Sequence, residues 1–370
     1  MIRDVLSSAH LAEPPRRWSS EESDRLVCRA IVEETHDVKT FVFQSPEPRA
    51  FHFMPGQFLT WELPIDGEIV HRCYTAASSP TRPYSLSITV KRVAGGPASN
   101  WLHDRLKVGD SLTAVGPLGD FTFLKHPAPK YLFLSGGSGI TPLMSMTRAL
   151  HDLAADLDVI FVHFARSPRD IIFRRELDLI ARRQPKLRVV HVVEQVDGEP
   201  SWTGFTGRAS RPLIELIAPD LAGREVFCCG PSAFMAAVRG ILAEAGHDRA
   251  RYHEESFNFE ELAPATIAEV AAAEANVEAM NGVATYRITF AKIGKVIECR
   301  ADTNILDAAI AAGIRLPSSC TQGLCGTCKS KKLSGDVEMH HRGGIRQREI
   351  DQGMVLLCCG KPQSDVTIDR

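Results

Sequence analysis

No stretch of this sequence is apolar for long enough to cross a bilayer as a helix, which takes about 20 such residues, so no membrane span is expected. Neither sign of charge dominates: 43 Lys and Arg stand against 45 Asp and Glu, for a net charge of −2. That balance leaves no electrostatic footprint for nucleic acid or for an anionic membrane surface. Met1 to Ser20 lacks the apolar core of a secretory signal and carries Arg3, Asp4, Glu13, Arg16 and Arg17 instead. A cytoplasmic protein is therefore expected. Internal repeats are absent too.

Length and cysteine are in good supply. The 370 residues exceed one typical core and suffice for two or three domains. The ten cysteines are Cys28, Cys73, Cys228, Cys229, Cys299, Cys320, Cys325, Cys328, Cys358 and Cys359. In a long chain without a leader they point to reduced thiols or a metal site rather than to disulfides. Three of them crowd between Cys320 and Cys328.

The patterning changes along the chain. After an N-terminal arm (1–23), residues 24–125 read as short strands at Leu26–Glu34, Val38–Phe43, Gln57–Leu63 and Ser85–Arg92. Turns and one helical piece at Ala98–Arg105 separate them, which predicts a small antiparallel barrel. Residues 126–260 alternate apolar strands (Tyr131–Ser135, Leu157–Phe164, Leu187–Val193, Glu225–Gly230) with helices (Thr141–Asp152, Asp170–Arg183, Pro231–Ala245). That alternation predicts a doubly wound parallel α/β sheet. An Ala- and Glu-rich linker with helical composition (261–284) follows, and then a second β-rich domain (285–370) with a helix at Ile305–Ala312.

Cys320-x4-Cys325-x2-Cys328, with a further cysteine downstream, is the spacing of plant-type [2Fe–2S] ligation. Four thiolates must converge on two irons, and Gly323 and Gly326 let the backbone curl so that N–H groups can point at sulfur. Spacing leaves the fourth ligand open between Cys358 and Cys359. Zinc sites favour paired short spacings, which this loop lacks. The segment Leu357 to Asp365 resembles the C-terminal stretch of plant-type ferredoxins, and that resemblance selects Cys358. Cys359, Cys299 and Cys28 are expected to be buried small hydrophobes. The pair His340 and His341, and the basic run from Arg342, read as a solvated loop.

Two further segments carry chemistry. Arg72-Cys73-Tyr74-Thr75 resembles the Arg-x-Tyr-(Ser/Thr) flavin motif of the ferredoxin–NADP reductase superfamily. Arg72 offers a planar fork for pyrophosphate, Tyr74 an aromatic plane, and Thr75 a hydroxyl near the flavin edge that receives hydride. Behind it stand Thr89-Val90-Lys91 and Gly96-Pro97-Ala98-Ser99, then Gly116-Pro117-Leu118-Gly119, similar to the family's second flavin segment. The phosphate loop implies FAD, with Ser99 near a helix start where free N–H groups attract anions. Gly137-Ser138-Gly139-Ile140-Thr141-Pro142 follows an apolar strand and opens a helix, the context a dinucleotide loop requires. Proline suits the first helical turn, and Thr141 is expected to cap it.

Cys229-Gly230-Pro231 matches the same superfamily's Cys-Gly-Pro, whose cysteine lies near the nicotinamide C4, while Cys228 is read as packing. Phe257, closing the segment from His253, is a candidate cover for the flavin or nicotinamide face, or else a core aromatic. Arg166 and Arg169 could hold a 2′-phosphate, but the Ala-Arg-Ser stretch resembles reductases that use NADH, so NADH is expected and NADPH is the alternative.

The order flavin barrel, nicotinamide domain, ferredoxin domain covers nearly the whole chain. It resembles the reductases of Rieske-type oxygenases that demethylate quaternary amines such as glycine betaine or stachydrine, through Gly335–Met339, Gly343–Ile345, Glu349, Ile350 and Gly353. The resemblance implies electron flow from NADH through FAD and a [2Fe–2S] cluster to a terminal oxygenase. A nicotinamide gives two electrons as hydride and a cluster takes one at a time, so flavin must lie between them. Apart from Thr75 and Cys229 beside the hydride path, no catalytic residues are expected. Two alternatives stand beside this reading: the reductase of a hybrid-cluster protein, and a redox-sensing flavoprotein without turnover, which would have no need of both loops.

Overall fold

The computed structural model describes residues 16–19, 25–197, 201–257, 284–314, 316, 321, 323, 326–341 and 344–370. Most of the N-terminal arm, nearly all of the linker, and Cys320 and Cys325 lie outside these residues. The chain divides into two compact units, Met1–Val70 with Tyr74–Phe257, and Asn258–Arg370 with His71–Cys73.

The larger unit opens with strands β1 (Arg25–Thr35), β2 (Val38–Gln44), β3 (Phe58–Ile65), β4 (Glu68–Thr75), β5 (Leu86–Lys91) and β6 (Ser111–Leu118), with helix α1 (Pro97–Asp104) before β6. They form one six-stranded sheet in the order β4-β3-β6-β1-β2-β5. Alternation sends Leu26 and Cys28 of β1, Phe41 and Phe43 of β2, Leu59, Trp61 and Leu63 of β3, and Leu86, Ile88 and Val90 of β5 into one core. Helix α1 closes that core with Ala98 and Leu102. The Arg72–Thr75 motif is the end of β4.

The same unit continues with β7 (Lys130–Gly136), α2 (Ile140–Asp152), β8 (Asp158–Ala165), α3 (Arg174–Arg183), β9 (Leu187–Val193), β10 (Phe205–Thr206), α4 (Arg211–Ile217), β11 (Glu225–Cys229), α5 (Ser232–Glu244) and β12 (Tyr252–Glu255). All six strands pair in parallel, in the order β10-β9-β8-β7-β11-β12. Tyr131, Phe133, Val159, Phe161 and Phe227 face one side, under Leu143 and Met146 of α2 and Leu177 and Ile180 of α3. Leu132, Leu134, Ile160, Val162 and Val226 face the other, under Ile214 of α4 and Val238 of α5. The sheet is thus doubly wound, as the sequence predicts.

One helix starts later than expected. The run read as Asp170–Arg183 is helical only from Arg174, because Phe173 takes a left-handed φ of 58° and breaks it. Upstream, the Ser167 hydroxyl donates to the Asp170 carboxylate at 2.6 Å and holds a separate tight turn at Pro168–Asp170.

The second unit contains β13 (Thr285–Phe290), β14 (Lys295–Arg300), α6 (Ile305–Ala311), β15 (Lys329–Ser334), β16 (Val337–Met339), α7 (Gln347–Asp351), β17 (Met354–Leu356), β18 (Gly360–Pro362) and β19 (Val366–Ile368). Its main sheet runs β14-β13-β19-β15-β17, with β13 and β19 parallel. Ile305, Leu306 and Ala309 of α6 pack on Ile288, Phe290, Val366 and Ile368 and form the core of this unit. Cys28 and Cys299 are core residues, as expected, but Cys359 is only half-buried. Among the described residues, no helix is long and apolar enough to cross a membrane.

Candidate active site

In the parallel sheet the strand order reverses beside β7: β8 and β9 lie on one side of it and β11 on the other. Loops leaving the carboxyl ends at such a switch point form the natural ligand crevice. Register places Ser135 opposite Cys229, so the Gly136–Gly139 loop and the Cys229–Pro231 loop emerge together. They are in close contact. A Cβ on Gly139 would overlap the Cys229 carbonyl and sit 2.5 Å from the Gly230 nitrogen. Only glycine permits that approach. Helices α2 and α5 begin from these loops, capped by Gly139 and Pro231. Their first-turn N–H groups have no partner within the helix, which suits an anionic ligand.

Thr141 is not the cap the sequence suggests. It lies inside the first turn with Ile140 and Pro142, and its hydroxyl donates to the Ser138 carbonyl at 3.2 Å. Cys229 is fully buried, and burial pushes its thiol well above the ordinary value, so it is a neutral thiol. Cys228 points to the other face and packs in the core, as expected.

Glu255 of β12 pairs with Cys229 and was not singled out by the sequence. The residue is half-exposed, but its carboxyl end is enclosed, with Oε2 lacking any hydrogen-bond partner. Burial raises that carboxyl to about 8. Only the register between β11 and β12 reveals it. Phe257 is partly buried against the core cluster that contains Ile140 and Cys229. Arg166 donates from one nitrogen to Asp37 and to Asp170, each at 3.1 Å, so two carboxylates already meet its charge. Arg169 lies 3.5 Å from Asp197.

In the barrel, β4 leaves Arg72 and Tyr74 half-buried while Cys73 and Thr75 are buried. Arg72 donates to the His71 carbonyl at 2.9 Å, and Tyr74 packs against the barrel core. The Thr75 hydroxyl is buried with no hydrogen-bond partner, the condition of a group that awaits a polar ligand atom. The Ser99 hydroxyl is engaged within the protein. It accepts the Val93 N–H at 3.1 Å and donates to the Gly96 carbonyl at 3.3 Å, tying the loop to α1. With Pro97 at the first helical position, the free amides there are those of Ala98 and Ser99. Thr89 hydrogen-bonds Thr40 at 2.8 Å, the Val90 carbonyl lies 2.9 Å from His103 Nε2, and Lys91 lies 3.6 Å from Asp37. These three side-chain and carbonyl contacts brace the segment from within.

In the second unit, Cys328 and Cys358 are both buried. The Cys358 N–H points at Cys328 Sγ at 3.5 Å, and the Gly323 N–H at Cys358 Sγ at 3.2 Å. Amides directed at sulfur are the expected surroundings of cluster thiolates. Gly323 has a φ of 69°, and a Cβ there would come 2.8 Å from Cys359 Sγ and 3.0 Å from His341 Cα. Next to Cys328, Lys329 is buried and its ammonium meets Glu349 at 2.7 Å. Arg346, also buried, reaches the same carboxylate oxygen at 3.0 Å. Burial would raise the Glu349 carboxyl, but Arg346 and Lys329 outweigh it and hold it at about 2.

Comparison with known proteins agrees with this anatomy. The sequence matches the oxidoreductase FAD-binding domain over residues 26–123, the oxidoreductase NAD-binding domain over 133–240 and the 2Fe-2S iron-sulfur cluster binding domain over 288–363. It is 48% identical over 352 residues to a glycine betaine monooxygenase reductase subunit of Chromohalobacter salexigens, covering 92% of this chain and 94% of that protein. It is 42% identical to a stachydrine N-demethylase reductase subunit of Rhizobium meliloti, covering 95% of this chain and 97% of that one. The fold is that of phthalate dioxygenase reductase, a modular structure for electron transfer from pyridine nucleotides to [2Fe–2S] (TM-score 0.55, 24% identity, 95% of this chain and 100% of that one).

Proposed function

The chain belongs to the family of monooxygenase reductase subunits with FAD-binding, NAD-binding and 2Fe-2S domains, and on that premise we propose that it carries electrons from NADH to a terminal Rieske-type oxygenase acting on a quaternary amine such as glycine betaine or stachydrine. The observation that carries this reading is the close approach of Gly139 to Cys229 and Gly230 at the reversal of the parallel sheet. Bound flavin supplies the one chemistry the side chains lack, taking two electrons as hydride and releasing them singly.

The residues divide the remaining work. Gly137, Gly139, Ile140, Thr141 and Pro142, with Gly230 and Pro231, cradle the dinucleotide by backbone. Arg166, already paired with Asp37 and Asp170, offers little to a 2′-phosphate, which favours NADH. Arg72 and the amides of Ala98 and Ser99 receive the FAD pyrophosphate, while Thr75 gives the flavin a hydrogen-bond partner. Cys229 flanks the hydride path as a neutral thiol, and Phe257 covers it. Cys320, Cys325, Cys328 and Cys358 ligate the cluster. The functional divisions fall at 24–125, 126–260 and 285–370, and a cytoplasmic location follows from the need for NADH and for reduced thiols.

The test is reconstitution. Reductase, a purified quaternary-amine oxygenase and NADH are combined, and NADH oxidation is followed with and without glycine betaine or stachydrine. Amine-dependent oxidation that needs both proteins is expected. Rapid reduction of ferricyanide without any coupling to such an oxygenase would place the chain with a different acceptor.

A further inference from the structure

We propose that His126, Glu225 and His253 form a binding site for a divalent transition-metal ion of the zinc class. The three residues come from separate segments that the fold gathers at one place. Glu225 is the first residue of β11, and His253 on β12 stands opposite Phe227, two positions further along β11. Residues two apart on a strand share a face, so Glu225 and His253 meet on one side of the sheet. His253 Nε2 lies 2.6 Å from Glu225 Oε1. His126, in the connection between the flavin sheet and β7, lays its ring on His253 with centroids 3.6 Å apart at 28°. The candidate ligand atoms all lie within 4.8 Å of one another.

The chemistry selects the ion. Two imidazoles and one carboxylate suit zinc, copper or nickel and do not suit magnesium or calcium, which prefer all-oxygen shells. Three protein ligands leave a fourth position for water. The carboxylate is already oriented: Arg251 Nε holds Glu225 Oε2 at 3.2 Å and turns Oε1 toward His253. Such an outer partner fixes a ligand without occupying its donor atom. Among the described residues, no hydrogen bond holds the His126 ring, which stacks on His253 and meets Phe227 edgewise.

The site is separate from the nicotinamide crevice. Glu225 opens β11 and Cys229 closes it, four residues or about 13 Å away by strand rise. An ion here would clip the connection entering β7 to β11 and β12 at the end of the sheet remote from hydride transfer. It would add stability without joining the electron path.

The experiment uses untagged holoenzyme, oxidised and fully loaded with flavin and iron so that the cluster cysteines are occupied. It is dialysed against Zn2+ beside His126→Ala and Glu225→Gln, and zinc, iron and flavin are counted. About one zinc per chain is expected in the parent protein, with affinity at least about 10-fold weaker in both variants at equal flavin and iron content. Zinc should also raise the melting temperature of the parent and not of the variants. Cu2+ then serves as a spectroscopic probe, since oxidised flavin and an oxidised [2Fe–2S] cluster give no paramagnetic signal. Nitrogen splitting from two imidazoles is expected. Zinc bound equally by parent and variants, or a parent copper signal without imidazole nitrogen, overturns the proposal.

Discussion

The nicotinamide crevice and the ferredoxin core treat charge in opposite ways. At the crevice the buried titratable groups are neutral: burial raises the Cys229 thiol and brings the Glu255 carboxyl to about 8. The loops there act through backbone amides and through a glycine that no other residue can replace. Beside Cys328, by contrast, the protein buries Lys329, Arg346 and an ionised Glu349 together. Neutral groups of this kind neither attack nor repel a dianionic cofactor. A cluster of thiolates tolerates, and gains from, buried positive charge nearby. The difference is one of chemistry expressed as burial: what is desolvated alone goes neutral, and what is desolvated with a partner stays charged.

Separating the two ends should give the largest effect. Cys325→Ser is expected to abolish cytochrome c reduction while NADH-dependent ferricyanide reduction persists; equal loss of both would show that the two ends are not separable. Next comes Gly139→Ala, which forces a Cβ into the Cys229 carbonyl and displaces the loop. A drop of about 100-fold in kcat/KM for NADH is expected, with iron content unchanged.

Within the ferredoxin core, Glu349→Gln leaves Lys329 and Arg346 buried without their anion. A loss of about 3–5 kcal/mol is expected in the chemical unfolding of that unit. The sign of its pH dependence follows from the depressed carboxyl. The stabilisation is complete above the ordinary value of 4.5 and is lost as pH falls through about 2.

Glu255→Gln tests the opposite case and should act in the opposite direction. The wild-type carboxyl ionises at 4.5 when unfolded but only at about 8 when folded, so stability declines as pH rises between those values. The Gln variant should melt a few degrees higher at pH 8 and match the parent below about pH 4. A variant advantage at low pH instead would mean that Glu255 is ionised in the folded protein. The smallest effect belongs to Arg287→Gln, which removes a surface pair with Asp365 whose members are 73% and 54% exposed. Its melting temperature should be nearly unchanged.

Much of this was legible in the linear chain. The apolar runs Tyr131–Ser135 and Leu157–Phe164, alternating with helices, marked buried parallel strands, and both faces of each are covered. The cysteine spacing pointed to a 2Fe-2S domain, which the match over residues 288–363 bears out. Helix α3 was misjudged at its start because Phe173 adopts a left-handed conformation that no local residue preference signals. Thr141 reads as a cap by type, yet the turn at Gly137–Gly139 moves the cap to Gly139. Ser99 reads as an anion contact through the amides of its helix start, and its hydroxyl closes its own loop.

By itself, then, the order of residues determined the three modules, because periodicity, glycine and thiol spacing are local properties. Tertiary structure alone decided what depends on register and burial. It set Glu255 beside Cys229 through the pairing of β12 with β11. It enclosed Lys329, Glu349 and Arg346 together, and it brought His126 onto His253. Ionisation, orphaned donors and converging ligands arise only when distant segments remove one another from water, and no local pattern records that.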